Sequence, residues 1–327
     1  MPRLPIRWGL SLPNRGVLFG LTNLDAIKEA AILAEQSGVF ESVWFGDSLI
    51  HKPRIESIVM LSAAAAWTEK VRLGVICMAS FPVRHPVLLG IQWASLDQLS
   101  KGRALLGVCI GGGHDPELRE FGARRSERVG RLTEGIEILR GLWSGEEFGF
   151  EGKYYKVERQ KFLPRPVQQP CPIWIAVSPD RASVGDAVVD NAMKRVATLA
   201  DGYITMGVTA QEFQRRWEVI AKTAGDQGKD LSSFETSIHG MVNINDNLEA
   251  AYDEAKYYFS HYYAAGYPPE ELIKVWLAHG PPARCAELIQ SWVDMGITTP
   301  VLRFASRDQP GQVRRFIKDV LPLIRLN

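Results

Sequence analysis

The chain has few of the residues that mark metal-bound or disulfide-stabilised proteins. Its four cysteines, Cys77, Cys109, Cys171 and Cys285, lie far apart and form no C-x-x-C pair. This spacing argues against a structural zinc site, and we expect no disulfide. The six histidines include no H-x-H pair at a predicted strand end, so a metal-dependent barrel hydrolase is disfavoured. We therefore predict no metal site.

An excess of charge and a long apolar run are also lacking. The 38 Lys and Arg side chains balance 37 Asp and Glu side chains, which gives a formal net charge of +1. This balance disfavours a nucleic-acid-binding face or a polybasic membrane surface. No apolar run approaches the about 20 residues of a bilayer span, and the first residues lack the features of a signal peptide. We expect a cytoplasmic protein with no nucleic-acid or membrane partner.

The chain alternates between short apolar strands and helical segments. With 327 residues, 46% of them apolar, it is long enough for two ordinary domains or for one large α/β barrel. No flexible polar linker divides it, so we predict a single (β/α)8 barrel domain over 1–327, with insertions near 145–170 and 266–282. The eight predicted strands span residues 6–11, 42–45, 71–77, 104–110, 172–177, 203–206, 236–244 and 299–304.

The segment 71–113 is the most informative part of the sequence. A continuous apolar run, 71–77, is typical of a strand that is buried on both faces. Pro86 suits the first turn of a helix and Gly102 suits its end. A second buried strand then ends in Gly111, Gly112 and Gly113. Three glycines exceed the needs of one turn, so we predict close approach of a flat or anionic ligand.

In a barrel of this kind the chemistry lies just past the carboxyl ends of the strands. Asp47 follows the second predicted strand, where it would bind a ring edge, a water or a nearby donor, or else cap the turn before Pro53. His114 follows the glycines, and an imidazole there would titrate near neutrality and shuttle a proton. The alternative for His114 is a surface polar pair with Asp115. His51 is predicted to face solvent.

Four blocks of the sequence carry a family resemblance. The chain resembles the bacterial luciferase-like family of flavin- and deazaflavin-dependent oxidoreductases. The resemblance implies a (β/α)8 barrel whose C-terminal mouth binds the ring of FMN or of the deazaflavin coenzyme F420. The blocks are AEQSGVFESVWFGDS (34–48), the whole of 71–113, ERVGRLTEGIEILRGLWSGE (127–146) and CPIWIAVSP (171–179).

The same resemblance assigns cofactor-binding residues. Members often have a non-proline cis peptide in the third strand, which here falls near Cys77, Met78 or Ala79 and would press a bulge against the ring. Gly111 and Gly112 would approach the ring from the next loop.

A phosphate cradle is implied at the following strand ends. Ser178 and Arg181 would bind the cofactor phosphate at the start of a helix, with Thr205 beside them. The alternative is an ordinary capped loop between strand and helix.

Two residues depart from the F420-dependent sugar-phosphate dehydrogenases of this family. Ser48 stands where they have a histidine, and Gly112 where they have a glutamate. Sugar-phosphate oxidation is therefore disfavoured, whereas F420 as cofactor stays open.

Three functions follow from the sequence. The favoured prediction is a monooxygenase that uses reduced FMN and O2 on a small organic substrate, with a flavin reductase as partner. The alternative is F420-dependent hydride transfer, and a third possibility is a non-catalytic flavin-binding protein. The resemblance also implies a homodimer.

Overall fold

Eight parallel strands form the centre of the molecule. The computed structural model describes residues 1, 4–112, 114–263 and 268–326. The described residues form eleven strands in all: β1 (Trp8–Leu12), β2 (Phe40–Phe45), β3 (Arg72–Met78), β4 (Ala104–Val108), β5 (Glu147–Glu151), β6 (Lys156–Lys161), β7 (Ile173–Ala176), β8 (Gly202–Thr205), β9 (Glu235–Ile244), β10 (Leu277–Gly280) and β11 (Thr299–Phe304).

Helices follow most of the strands and cover the outside of the barrel. They are α1 (Leu24–Gln36), α2 (Ser57–Trp67), α3 (Pro86–Leu99), α4 (Asp115–Glu120), α5 (Arg128–Trp143), α6 (Arg181–Val184), α7 (Asp186–Leu199), α8 (Ala210–Asp226), α9 (Leu248–Tyr263), α10 (Glu270–Trp276), α11 (Pro282–Asp294) and α12 (Gln309–Arg315). No described helix is both long and apolar enough to cross a bilayer.

The sheet closes on itself, as the (β/α)8 prediction requires. Going round the barrel, the parallel neighbours are β1, β2, β3, β4, β7, β8, β9 and β11, and β11 pairs back to β1. Strand β9 is twice as long as most of its neighbours. Its first half pairs with β8 and its second half with β10, so β10 extends the wall beyond the end of β8.

Two segments add to the barrel where insertions were predicted. Strands β5 and β6 form an antiparallel hairpin between α5 and β7. Helix α10 and strand β10 occupy the described part of the second segment, and residues 266 and 267 lie outside the described residues.

Large aromatic and aliphatic side chains fill the barrel interior, which is packed rather than hollow. Trp44 and Trp174 meet there, with ring centroids 5.6 Å apart, among Ile76, Leu105 and other apolar side chains. Gly74 makes room for this packing, because a Cβ at that position would lie 2.1 Å from the Trp44 ring. At the level of these residues the barrel interior is therefore filled by side chains.

A buried ion pair lies at the opposite end of the barrel from the strand carboxyl ends. The carboxylate of Glu235 accepts hydrogen bonds from Arg72 at 2.7 and 2.9 Å, from Arg7 at 3.1 Å and from Thr299 at 2.7 Å. Burial alone would raise the pKa of Glu235, but these hydrogen bonds and the positive charges of Arg72 and Arg7 outweigh it and lower the pKa. The pair therefore ties β3, β9 and β11 together.

Helices α9 and α10 pack over the C-terminal end of the barrel. Tyr258, Phe259 and Tyr262 of α9 and Trp276 of α10 form a buried aromatic cluster with Met241 of β9. This cluster covers the part of the mouth that lies above β9. The mouth is left open above β2, β3 and β4.

Candidate active site

A cleft of about 270 Å³ lies at the carboxyl ends of β2, β3 and β4. The loops after β3 and β4, which were predicted to hold a planar ring, face each other across it. Its lining residues are Asp47, Ser48, His51, Lys52, Arg54, Ala79, Val83, Ile110, Gly111, Gly112, His114, Glu117 and Leu118.

Strand β3 is irregular where it reaches this cleft. Its pairing register with β4 shifts between Val75 and Met78, and the Ile76–Cys77 peptide bond is cis, as the family resemblance implies. The Met78 side chain is buried in the hydrophobic core, and neither Cys77 nor Met78 is among the residues that line the cleft. Ala79, the next residue, lines the cleft.

Two thiols meet beneath the cleft. The Sγ of Cys77 donates to the Sγ of Cys109 at 2.8 Å, and both cysteines are free. This hydrogen bond and burial raise the pKa of Cys77 well above its ordinary value. Cys77 is therefore a neutral thiol at physiological pH and acts as a small apolar contact.

The glycines after β4 supply a bare surface. Gly111 has φ +70°, and a Cβ there would lie 2.4 Å from the carbonyl oxygen of Ala79, so only glycine lets the two loops approach so closely. Among the described residues, a Cβ on Gly112 would meet nothing nearer than His51 Cδ2 at 4.0 Å. The open backbone face at Gly112 fits a flat ring. Gly113 lies outside the described residues.

Asp47 is fully hydrogen-bonded at the edge of the cleft. Its carboxylate accepts from the Oγ of Ser57 at 2.8 Å, from the N–H and Oγ of Ser80 at 2.9 and 2.6 Å, and from Arg84 at 3.0 Å. Four donors fix the carboxylate and fasten the loop after β3 to the end of β2. The structure thus gives Asp47 a positioning role, and a direct catalytic role for it stays a prediction.

Two imidazoles stack in the open part of the cleft. The rings of His51 and His114 have centroids 4.2 Å apart and planes 23° apart. Glu117 holds this arrangement, because its carboxylate accepts from the N–H groups of Ile50 and His51 at 2.8 and 2.6 Å. Partial desolvation, followed by the neighbouring charges of His114 and Lys52, lowers the pKa of His51. His51 is exposed, as predicted, but it also lines the cleft.

The predicted phosphate cradle lies across the mouth, after β7 and β8. The hydroxyls of Ser178 and Thr205 are 2.9 Å apart, and Ser178 Oγ accepts from the N–H of Met206 at 2.7 Å. Buried Arg216 of α8 donates to Thr205 Oγ1 at 3.2 Å and to the carbonyl of Pro179 at 2.7 Å. These contacts join the two loops beside a second cavity, of about 1000 Å³.

Arg181 lines that cavity, but acidic side chains surround it. Its guanidinium contacts Glu212 at 3.0 Å, Asp186 at 2.8 Å and Asp190 at 3.3 Å. With three carboxylates this close, its charge is already neutralised. Its assignment to the cofactor phosphate stays a prediction, and this geometry weighs against it.

A sequence model of the luciferase-like monooxygenase family matches residues 8–299. The chain belongs to the luciferase-like family. The F420-dependent glucose-6-phosphate dehydrogenase of Kineococcus radiotolerans is 27% identical over 333 residues, which cover 91% of this chain and 93% of that relative. The family and these relatives identify this luciferase-like protein as an oxidoreductase.

Solved structures share the luciferase-like fold over nearly the whole chain. An F420-dependent secondary alcohol dehydrogenase superimposes with a TM-score of 0.79 at 18% identity, covering 98% of this chain and 100% of that one. A monooxygenase from Streptomyces bottropensis gives a TM-score of 0.79 at 22% identity, covering 97% and 99%. At such identities the likeness concerns the fold alone.

Sequence reasoning missed several residues at the mouth of this luciferase-like barrel. Arg216 contacts Glu212 one helical turn earlier, at 2.9 Å, and that spacing was the only available signal for it. Arg303 lies at the end of β11, inside the predicted rim, yet received no role. Among the described residues no group of His, Cys, Asp or Glu is arranged to hold a metal ion.

Proposed function

We propose that this protein is an F420-dependent oxidoreductase that transfers a hydride between the deazaflavin and a small organic substrate. One observation carries the proposal. Eight relatives, matched over at least 90% of this chain at 24–28% identity, are all named F420-dependent dehydrogenases. For the FMN-dependent monooxygenase favoured by the sequence, the support is the description of the matching family and solved structures below 25% identity, one of them in complex with FMN.

The cleft fits the ring of such a cofactor. Gly111 and Gly112 would lie against one part of the ring and Cys77 to Ala79 against another, while the cavity beside Ser178 and Thr205 would take the phosphate-bearing chain. When bound, F420 supplies the hydride-transfer chemistry, and the protein supplies binding and orientation.

The histidine pair is the group in the cleft that suits proton transfer. An alcohol that loses a hydride from carbon also releases its hydroxyl proton, and a carbonyl that gains a hydride needs one. His51 has a lowered pKa, so its imidazole is neutral at pH 7 and can accept the proton. His114, stacked at 4.2 Å, lies on the same side of the cleft and is the second candidate.

The substrate of the named relatives, glucose 6-phosphate, is not carried over to this chain. Ser48 and Gly112 line the cleft at the two positions where sugar-phosphate dehydrogenases have histidine and glutamate. We therefore propose another small alcohol or carbonyl compound as the substrate.

Turnover with each cofactor tests this proposal. The purified protein is mixed with F420 under anaerobic conditions and with a panel of small alcohols, and the visible absorbance of oxidised F420 is followed. In parallel, reduced FMN, O2 and the same compounds are supplied. We expect loss of F420 absorbance with at least one alcohol. Turnover in the FMN and O2 reactions alone would overturn the proposal, and binding without turnover in either would favour a non-catalytic protein.

A further inference from the structure

Four cationic side chains gather at one side of the barrel mouth. We call Arg15, Lys52, Arg54 and Arg303 the cation cluster. No carboxylate of the described residues lies within 4.0 Å of any of these four charges, whereas Arg216, the other buried arginine of the described residues, is paired with Glu212 at 2.9 Å. Burying unpaired charge is costly, so a group of unpaired cations calls for an anion from outside the chain.

Arg303 is the innermost member of the cluster. Only 3% of it is exposed, its Nη2 donates to Ser11 Oγ at 2.7 Å, and its Nε has no hydrogen-bond partner among the described residues. Arg54 is its neighbour, since a Cβ placed on Gly46 would lie 2.1 Å from Arg54 Nη1 and 3.6 Å from Arg303 Nη2. Two guanidinium groups therefore lie side by side with donors to spare.

Lys52 and Arg15 complete the cluster on its outer side. Lys52 Nζ lies 5.5 Å from the centre of the Tyr263 ring and makes no ion pair within the described residues. Burial, followed by the positive charges of Arg54 and Arg15, lowers the pKa of Lys52. Arg15 donates to the carbonyl of Pro53 at 2.8 Å and to that of Tyr262, which are neutral partners.

The cap above the cluster provides neutral donors. The hydroxyls of Tyr258 and Tyr262 are buried and find no hydrogen-bond partner in the part of the chain that the structure describes, and the Tyr262 ring lies 4.9 Å from the guanidinium of Arg303. Burial raises the pKa of Tyr258, so that phenol keeps its proton. Charged and neutral donors thus converge from β11, the loops after β1 and β2, and helix α9.

The cluster lies across the mouth from the predicted phosphate cradle. Going round the barrel, β11, β1 and β2 carry the cluster, and the cradle follows β7 and β8 on the far side. The ring cleft after β3 and β4 lies between them on one side of the mouth, and Lys52 and Arg54 line that cleft. A ligand in the cleft would therefore reach the cluster on the side away from the cradle.

We propose that the cation cluster binds an oxyanion, a carboxylate or phosphate, carried by the substrate. The assignment of this anion to a substrate rests on the function proposed above, whereas the anion site itself does not depend on that function. Arg303 and Arg54 would contact the oxyanion through their spare N–H groups, and Lys52 would close the site from the cleft.

Anion binding to the cofactor-free protein tests the site. Inorganic phosphate and citrate are titrated by calorimetry at constant ionic strength, with chloride as the balancing anion. We expect saturable binding that is about tenfold to 100-fold weaker in Lys52→Met and Arg303→Met, because each loses charged hydrogen bonds. Arg159→Gln, on the exposed hairpin, is the control and should bind like the parent protein. The side chain of Lys52 is partly exposed, so Lys52→Met should fold and still tests the site if Arg303→Met does not fold.

A cofactor titration separates the two sources of the anion. F420 also carries acidic groups, so its affinity is measured for the parent protein and for Arg303→Met, because Arg303 is not among the residues that line the ring cleft. Unchanged F420 affinity with weakened phosphate binding supports a substrate site. A parallel loss of F420 affinity would assign the cluster to the cofactor and overturn the proposal, as would absence of phosphate binding or phosphate binding that neither variant weakens. Failure of F420 to bind at all would refute the proposed function, while the phosphate result still decides the anion site.

Discussion

Replacing Gly112 by valine places a branched side chain where the cofactor ring is expected. A Cβ at this position has only His51 Cδ2 within reach, at 4.0 Å, and the backbone needs no left-handed conformation there. The free energy of unfolding should therefore change by no more than about 0.5 kcal/mol. A ring packed on this backbone would collide with the new methyl groups, and overpacking of this kind costs about 1–3 kcal/mol. F420 should then bind about tenfold to 100-fold more weakly.

The assay pairs F420 titration with urea denaturation, so that loss of binding is separated from loss of fold. Gly225→Ala is the matched control: it also adds a side chain into open space, but on helix α8, where it should stabilise by about 0.5–1 kcal/mol and leave F420 binding unchanged. Gly111→Ala should instead destabilise, because φ is +70° and the Ala79 carbonyl is only 2.4 Å away. Unchanged F420 affinity in Gly112→Val would show that the ring does not lie against this residue.

Four further substitutions test other parts of the structure. Glu235→Gln should lower the free energy of unfolding by about 3 kcal/mol at pH 7. The pKa of Glu235 is lowered in the folded state, so the stabilisation by its ionised carboxylate is present above its ordinary pKa and is lost as the pH falls through the folded pKa. The free energies of unfolding of variant and parent, measured in urea, should therefore converge in acid. Asp47→Asn should cost about 2 kcal/mol and weaken F420 binding by releasing the loop at Ser80; an unchanged F420 titration would contradict this positioning role. The kcat values of His51→Asn and His114→Asn should be compared with that of the parent protein, at unchanged F420 affinity. The variant that lacks the proton acceptor should lose about 100-fold in kcat, and a kcat equal to the parent's in both variants would exclude the pair.

The strands were predictable because local sequence determines them. The apolar runs of β3 and β4 and the helix between Pro86 and Gly102 need no distant contact to be recognised. The sequence predicts a single helix from the end of the 172–177 strand to about residue 200, but the structure has two, α6 and α7, because Gly185 between them has φ +82°. Strand β10 has only four residues, too few for a periodic pattern, and it forms by pairing with the second half of β9.

The loops of the candidate site were predictable from the sequence, but the contacts of its charged residues were not. Gly111, Gly112 and His114 follow a recognisable strand and therefore mark a strand end. The contacts of Arg303 and Glu117 join residues 292 and 67 positions away in the sequence, so no local pattern reveals them. Arg181 illustrates the converse: a basic residue at a helix start suggested a phosphate ligand, but folding brings three carboxylates to it.

Equilibrium titration of the purified protein with F420 and with FMN, side by side, tests the central claim most directly. The account predicts saturable F420 binding that is at least tenfold tighter than FMN binding, and that is lost in Gly112→Val but kept in Gly225→Ala. Tighter binding of FMN than of F420, or an F420 affinity that is unchanged in Gly112→Val, would contradict the proposed function.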